Sequence, residues 1–240
     1  MKSESLPAKT ILQIEKMVQL YVERREEFVN LAQRVERDLV ENAGLRPLIH
    51  SAKRREKDPS HLADKLKRKA IEAKKSGNAF SITESNLFKR VGDLAGVRLL
   101  HLHTQQLSDI HPKIIEIFNF HKYKLRERPL AFSWDVERKV FLEMLGLKVE
   151  IRPKMYTSVH YVVEPHWGHL ACEVQVRTLA EELWGEVSHT IDYPHETSSV
   201  ACREQLAALA RVASGCTRLV DSIFASRAEY NDRNRRGRRQ

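Results

Sequence analysis

The clearest pattern of apolar and polar positions lies between residues 170 and 193. Cys172, Val174 and Val176 alternate with polar residues, which predicts a β-strand that buries one face. The opposite face carries an acid, an amide and a guanidinium, and this set can hold a metal ion and a phosphate together. Its members are Glu173, Gln175 and Arg177. An amphipathic strand with a solvated outer face is the simpler alternative.

A helix is predicted directly after this strand. Thr178 and Glu181 have the spacing of a capping box, in which each side chain bonds the backbone N–H of the other residue. Apolar residues then recur every four positions, and we expect this stripe to pack against the domain. The stripe consists of Leu179, Leu183, Val187 and Ile191. A different stripe of the helix carries Glu182, Glu186, His189 and Tyr193.

Two earlier segments also predict strands. Residues 156–163 alternate and are followed by a short turn, so they should pair with the strand after residue 170 as an antiparallel hairpin. The apolar run 97–103 is typical of a central strand. Asp93 precedes this run and Arg98 lies within it, and a charge inside a central strand needs a partner or a ligand. An Asp93–Arg98 pair that only staples the strand end is the structural alternative.

Helical spacing dominates both ends of the chain. It predicts one long helix over residues 9–43 and another over residues 202–230. Asp58-Pro59 predicts a helix start after a basic loop or extended segment. Residues 123–132 look irregular, and the basic tail 231–240 is expected to be disordered.

Together these elements predict an α+β fold. We expect a mixed β-sheet of about five strands with flanking helices, and long helices at the N- and C-termini. The predicted divisions are an N-terminal helical segment (1–50), a sheet domain (51–195), a C-terminal helix (196–230) and the tail (231–240).

Charge and composition narrow the class of partner. The chain has 240 residues and a formal net charge of +9, which favours a polyanionic partner. It contains no apolar run long enough to cross a membrane and no signal-peptide pattern, so no membrane partner and a cytoplasmic location are expected. No glycine-rich phosphate loop is present, so side chains must bind any phosphate. Residues 51–75 are strongly basic, and charge alone leaves phosphate binding and a solvated face equally open.

Four segments, in this order, resemble a known family. They are RREKDPSHLADKL, GDLAGVRLL, YTSVHYVV and EVQVRTLAEELWGEVSH. The chain resembles the RelA/SpoT synthetase domain over residues 51–193, and its size is similar to that of a small alarmone synthetase. The resemblance implies a mixed sheet similar to nucleotidyltransferase palms. It also implies that ATP donates its pyrophosphate to the 3′-hydroxyl of GDP or GTP, with Mg²⁺ as cofactor.

The resemblance also implies roles for individual residues. Asp93 and Glu173 match the family's metal-binding and catalytic acids, and Arg98 is expected to assist them. The residues implied in ATP binding are Arg55, Lys57, Lys65 and Arg98. Those implied in acceptor binding are Tyr156, His160, Lys154, Gln175 and Arg177, with the Tyr156 ring stacking on the acceptor base.

One departure from the family pattern leaves the acceptor open. Residues 152–156 read RPKMY, without the Asn-Gly that precedes the family's acceptor tyrosine. A toxin-type member that modifies the 3′-end of tRNA, or a protein acting on another nucleotide, is one alternative. A nucleotide-binding module without turnover is another. The terminal helices also suggest self-association.

Overall fold

A mixed β-sheet carries the fold in the computed structural model, which describes residues 6–151, 155–192 and 196–237. Within these ranges the sheet has seven strands, in the order β1-β2-β7-β6-β4-β5, and β3 also pairs with β6. The β2–β7 and β4–β5 pairs are parallel and the others antiparallel. The strands are β1 (Ser51–Glu56), β2 (Ala95–His101), β3 (Tyr123–Leu125), β4 (Leu130–Phe132), β5 (Lys148–Glu150), β6 (Ser158–Pro165) and β7 (Cys172–Thr178).

Helices flank this sheet and extend from both of its ends. They are α1 (Ala8–Glu23), α2 (Arg25–Val40), α3 (Pro59–Lys75), α4 (Leu87–Arg90), α5 (Leu107–Phe120), α6 (Val136–Met144), α7 (Leu179–Asp192) and α8 (Val200–Gly237). Two predicted starts are confirmed. Asp58 caps α3 by accepting a hydrogen bond from the Ser60 N–H, and Thr178 and Glu181 bond each other's backbone at the start of α7.

The two faces of the sheet differ completely in character. Alternation along β2, β6 and β7 sends one set of side chains into the core, and their burial follows from the period of two. This set consists of Val97, Leu99, Val159, Tyr161, Val163, Cys172, Val174 and Val176. The other set faces α7 and carries the charged residues. The predicted hairpin of β6 and β7 and the α+β fold class are confirmed.

The N-terminal helices belong to the same hydrophobic core. Met17 and Tyr21 of α1 and Phe28 of α2 are fully buried and cluster with the sheet residues. The Tyr21 hydroxyl donates a 2.7 Å hydrogen bond to the backbone carbonyl of Lys57. Burial raises the pKa of Tyr21 to about 12. This helix therefore fixes the turn that leads from β1 into α3.

Several elements differ from the sequence prediction. The single helix predicted over 9–43 is interrupted at Arg24, which is neither proline nor glycine and gives no sequence signal. Residues 123–132 contain two three-residue strands, β3 and β4, too short to show a period of two. The basic segment before Asp58, expected as a loop or an extended segment, is extended and forms strand β1. These short and edge strands explain why seven strands replace the five expected.

The C-terminal helix is longer than predicted. α8 continues through to Gly237, so residues 231–237 are helical where disorder was expected. Residues 238–240 lie outside the described residues. Among the described helices, none combines the length and apolarity that crossing a membrane requires.

We expect Tyr21→Phe to lower the free energy of unfolding by about 1–3 kcal/mol, because the substitution leaves the Lys57 carbonyl without its buried donor. Urea titration followed by circular dichroism measures the change. The control is Tyr230→Phe, since Tyr230 is 66% exposed. Equal stability of both variants would show that this hydrogen bond does not hold the turn.

Candidate functional site

The polar face of the sheet places the predicted site residues in adjacent rows. Across β2 and β7, Gly96 is opposite Glu173 and Arg98 is opposite Gln175. On the next strand, His160 is opposite Gln175. Strand pairing alone therefore gathers side chains from distant parts of the sequence.

A small cleft of about 50 Å³ opens at the start of these strands. Gly96 lines the cleft, and a β-carbon at this position would lie 3.4 Å from the carbonyl oxygen of Arg55 and 3.6 Å from that of Glu173. Six charged or polar residues line the cleft: Arg55, Lys57, Asp93, Arg98, Glu173 and Gln175. All six were predicted from the sequence as site residues.

Asp93 holds the first cluster of charge in the cleft. Its Oδ2 atom lies 2.7 Å from the Nζ atoms of both Lys57 and Lys65. Burial would raise the pKa of this carboxyl, but the two ammonium groups outweigh burial and hold the pKa below its ordinary value. Burial also lowers the pKa of Lys57, which Asp93 partly restores. Asp93 therefore pairs with Lys57 and Lys65, and the Asp93–Arg98 ion pair considered as the structural alternative does not form.

Glu173 anchors the second cluster. Its carboxylate accepts a 2.6 Å hydrogen bond from Gln175 Nε2, and His160 Nδ1 lies 2.9 Å from Oε1. The other ring nitrogen of His160 lies 3.0 Å from the Tyr156 hydroxyl. Burial raises the pKa of Glu173, but His160 and Gln175 more than offset it, so the pKa is lowered overall. The carboxylate is thus held ionised by a chain that runs from Tyr156.

The two acids of the cleft suit a magnesium ion. Asp93 Oδ1 is buried and has no hydrogen-bond partner in the protein, which leaves one carboxylate oxygen available as a ligand. Magnesium is usually held by one or two carboxylates, with water and substrate phosphates completing its shell. Among the described residues no group of three or more His, Cys, Asp or Glu could hold a metal. The donor set therefore fits an ion that arrives with a phosphate rather than a closed structural site.

Arg98 and Arg177 are neutralised by helix α7. Arg98 donates to the carboxylates of Glu182 and Glu186, and both acids raise its pKa against the opposing effect of burial. Arg177 Nε lies 3.0 Å from Glu182 Oε2. Gly185, on the same helix, allows the Arg177 guanidinium to approach its backbone closely. The helix therefore presents acids to the polar face of the sheet.

This orientation overturns the predicted packing of α7. The apolar stripe was expected to face the domain, yet Leu183 is 58% exposed, and Val187 and Ile191 are also exposed. The buried arginines of the sheet decide the orientation, because an unpaired buried charge costs more free energy than an exposed leucine. Glu182 and Glu186 are the site residues that sequence reasoning missed. The i,i+4 spacing of the two glutamates is evident in the sequence, but the sequence does not show that Arg98 and Arg177 are their partners.

The Tyr156 ring is half-buried and packs against neighbouring rings. Its ring centroid lies 5.8 Å from both Phe132 and His160, and the Arg177 guanidinium carbon is also 5.8 Å from it. The ring further borders a small apolar cluster around Trp184. Burial raises the pKa of its hydroxyl, against the effect of Arg177. Tyr156 thus joins the Glu173 cluster, and the predicted stacking on a base stays a prediction. Lys154 lies outside the described residues.

Comparison with known proteins identifies the family. The family described as "Region found in RelA / SpoT proteins" matches residues 54–198, more than half of the chain. The chain belongs to the RelA/SpoT family. The resemblance stated from the four sequence segments is thereby confirmed, and membership supports a pyrophosphokinase of the (p)ppGpp synthetase type. No curated protein sequence matches the chain.

Solved structures share the fold. Small alarmone synthetase 1 from Bacillus subtilis bound to its product pppGpp matches with a TM-score of 0.59 and 19% identity, covering 87% of this chain and 96% of that one. A GTP pyrophosphokinase family protein from Streptococcus pneumoniae matches at 0.58 and 18%, covering 90% and 95%. The Bacillus subtilis synthetase bound to AMPCPP matches at 0.54 and 18%, covering 88% and 97%. At these identities the likeness establishes the fold.

We expect Glu182→Gln to lower the free energy of unfolding by about 3 kcal/mol, the size expected when a buried ion pair is broken. Glu186→Gln is the matched control, since its side chain is 52% exposed, and it should cost about 1 kcal/mol or less. Thermal and urea unfolding measure both. Similar losses in the two variants would mean that Glu182 does not carry the pairing of α7 with the sheet.

Proposed function

We propose that this protein is an ATP-dependent pyrophosphokinase that transfers the pyrophosphate of ATP to the 3′-hydroxyl of GDP or GTP. The observation that carries the proposal is the cleft itself: two carboxylates, Asp93 and Glu173, lie among four cations in a RelA/SpoT chain. A module that only bound nucleotide would have no need for paired acids beside the phosphate-binding groups. Turnover therefore explains the residue set better than binding alone.

The cations of the cleft would bind the phosphates of ATP. Lys57 and Lys65 converge on Asp93, and Arg55 is exposed at the cleft wall. Phosphoryl transfer depends mostly on alignment and on neutralising charge, which suits this arrangement. Mg²⁺ held by Asp93 and Glu173 would supply further charge neutralisation on the transferring group. Arg98 would assist once phosphate competes with the acids of α7.

Glu173 is the proposed general base. Its lowered pKa keeps it ionised near neutral pH, so the carboxylate can accept the proton of the attacking hydroxyl. His160 and Tyr156 act as positioning residues, because His160 contacts the carboxylate and the Tyr156 hydroxyl contacts the other ring nitrogen of His160. Gln175 holds it from the other side. The hydrogen-bonded series from Glu173 through His160 to Tyr156 links the base to the expected acceptor position.

A guanine nucleotide is the proposed acceptor. The Bacillus subtilis synthetase that shares this fold was solved with pppGpp, and separately with the ATP analogue AMPCPP, which supports a nucleotide donor and acceptor here. The net charge of +9 and the altered segment before Tyr156 favour tRNA as the second candidate.

In the deciding experiment, purified protein with Mg²⁺ and γ-labelled ATP is incubated separately with GDP, GTP, ATP and bulk tRNA. Label in GDP or GTP supports the proposal, and label only in tRNA overturns it.

Glu173→Gln should reduce transfer by at least 100-fold, because the substitution removes both the base and one metal ligand while preserving shape. Circular dichroism should show an unchanged fold. Glu143→Gln on α6, an exposed acid remote from the cleft, is the control and should keep full activity. Near-wild-type turnover of Glu173→Gln would make this residue structural and refute the mechanism.

Arg55→Ala should raise the apparent KM for ATP by roughly 10- to 100-fold, since a charge-assisted hydrogen bond contributes about 1.5–3 kcal/mol. Arg54→Ala is the matched control, because Arg54 lies on the same strand but pairs with Glu36 on the opposite face. Steady-state kinetics with each substrate varied in turn measures both variants. A loss confined to the acceptor would assign this strand to acceptor binding.

Tyr156→Ala should impair use of the acceptor sharply, while Tyr156→Phe should be mild if the ring face stacks on a base. The Phe variant also removes the hydroxyl that lies 3.0 Å from His160, so it reports that contact separately. Kinetics and thermal unfolding should be measured together. If Tyr156→Ala lowers the melting temperature greatly and harms both substrates equally, the ring is a packing residue.

A further inference from the structure

Two acids of α7 share one nitrogen atom of Arg98. The Nη1 atom donates to Oε1 of Glu182 and to Oε1 of Glu186, so both of its N–H groups are used within the protein. The Arg98 side chain is only 9% exposed, and this pairing neutralises its charge. Arg98 also lines the cleft. An anion that binds the guanidinium from the cleft therefore competes with one of the two carboxylates.

The two acids differ in how firmly they are held. The Glu182 side chain is 13% exposed, and its Oε2 atom also lies 3.0 Å from Nε of Arg177. Withdrawing Glu182 would deprive two buried arginines of their shared carboxylate, which is costly. Glu186, one turn further along α7, has a side chain that is 52% exposed. Its carboxylate can move into water at little cost, because exposed ion pairs contribute little free energy.

Glu186 lies where the protein favours an anion. Strand register places Lys53 directly opposite Arg98, so a second cation lies beside the guanidinium on the same face of the sheet. Burial raises the pKa of the Glu186 carboxyl, but the surrounding cations, Arg98 foremost, outweigh burial and lower the pKa overall. The carboxylate of Glu186 thus occupies a position in which a phosphate would be stabilised by the same cations.

This position is next to the part of the cleft that is proposed to bind the donor. In the neighbouring row of the sheet, Arg55 lies opposite Gly96 and Gly96 lies opposite Glu173. Residues two positions apart on a strand are separated by about 7 Å. A chain of phosphates that contacts Arg55 therefore comes within reach of Arg98.

We propose that Glu186 is an internal competitor of the donor's phosphates: its carboxylate occupies Arg98 until the phosphates of ATP displace it, while Glu182 stays and holds α7 to the sheet. The inference rests on the proposed function, because it requires a donor with phosphates in the cleft. Glu186 then sets the affinity for ATP without taking part in the transfer. Removing its charge should strengthen donor binding, whereas loss of a binding or packing residue would weaken it.

Calorimetry with a non-hydrolysable ATP analogue tests the competition. Glu186→Gln should bind the analogue roughly two- to fivefold more tightly than the wild-type protein, the size expected for a partly exposed ion pair. Adenosine, which has no phosphate, should show no gain. Glu56→Gln is the matched control, since it removes the same charge next to Arg55 but on the opposite face of β1, where Glu56 pairs with Arg25. Its affinity for the analogue should stay that of the wild type.

Three results would overturn the proposal, and they can be told apart. Equal or weaker binding of the analogue by folded Glu186→Gln would show that its carboxylate does not compete with phosphate. An equal gain for adenosine would show that the effect does not involve phosphate. An analogue that binds neither the wild type nor the variant would refute the proposed donor site itself, and the inference with it.

The titration of Glu186 gives an independent readout. Saturation with the analogue should raise the pKa of this carboxyl to its ordinary value or above, because the phosphates take over Arg98 and repel the released carboxylate. Carbon-13 NMR of labelled glutamate side chains follows the change, and the spectrum of Glu186→Gln identifies the signal. A Glu186 pKa that does not rise on saturation would show that the carboxylate stays on Arg98 and would contradict the displacement.

Discussion

The structure depends on neutralising a set of charges that lie on one face of a buried sheet. Four cations and four acids converge there, and each cation that is removed from water has a carboxylate within ion-pairing distance. Lys57 and Lys65 share Asp93, while Arg98 and Arg177 share Glu182. Because an unpaired buried charge is costly, this pairing fixes which side of α7 faces the sheet.

In the proposed reaction, the same charged groups would receive anionic substrates. A phosphate chain would take the place of a carboxylate of α7 beside Arg98, and a metal ion would share Asp93 with the two lysines. Glu173 is held differently, by a neutral amide and by the imidazole of His160. One acid is therefore embedded among cations and the other is positioned by hydrogen bonds.

The sequence predicted those features that depend on local pattern. The hairpin of β6 and β7 and the caps at Asp58 and Thr178 follow from alternation and capping. The residues of the cleft were implied by the resemblance to the RelA/SpoT family. Features that depend on distant partners were not accessible. The orientation of α7 could be predicted only by someone who knew that Arg98 and Arg177 lie beneath it. The break between α1 and α2 at Arg24 has no local sequence signal. The acceptor side is least determined, since it depends on the segment before Tyr156.

We propose that Asp93 and Glu173 form one metal site that is completed by nucleotide phosphates. Electron paramagnetic resonance of Mn²⁺, titrated with a non-hydrolysable ATP analogue present or absent, tests it most directly. We expect tight Mn²⁺ binding that requires the analogue and weakens at least tenfold in both Asp93→Asn and Glu173→Gln. Unchanged Mn²⁺ binding in both folded variants would contradict the account.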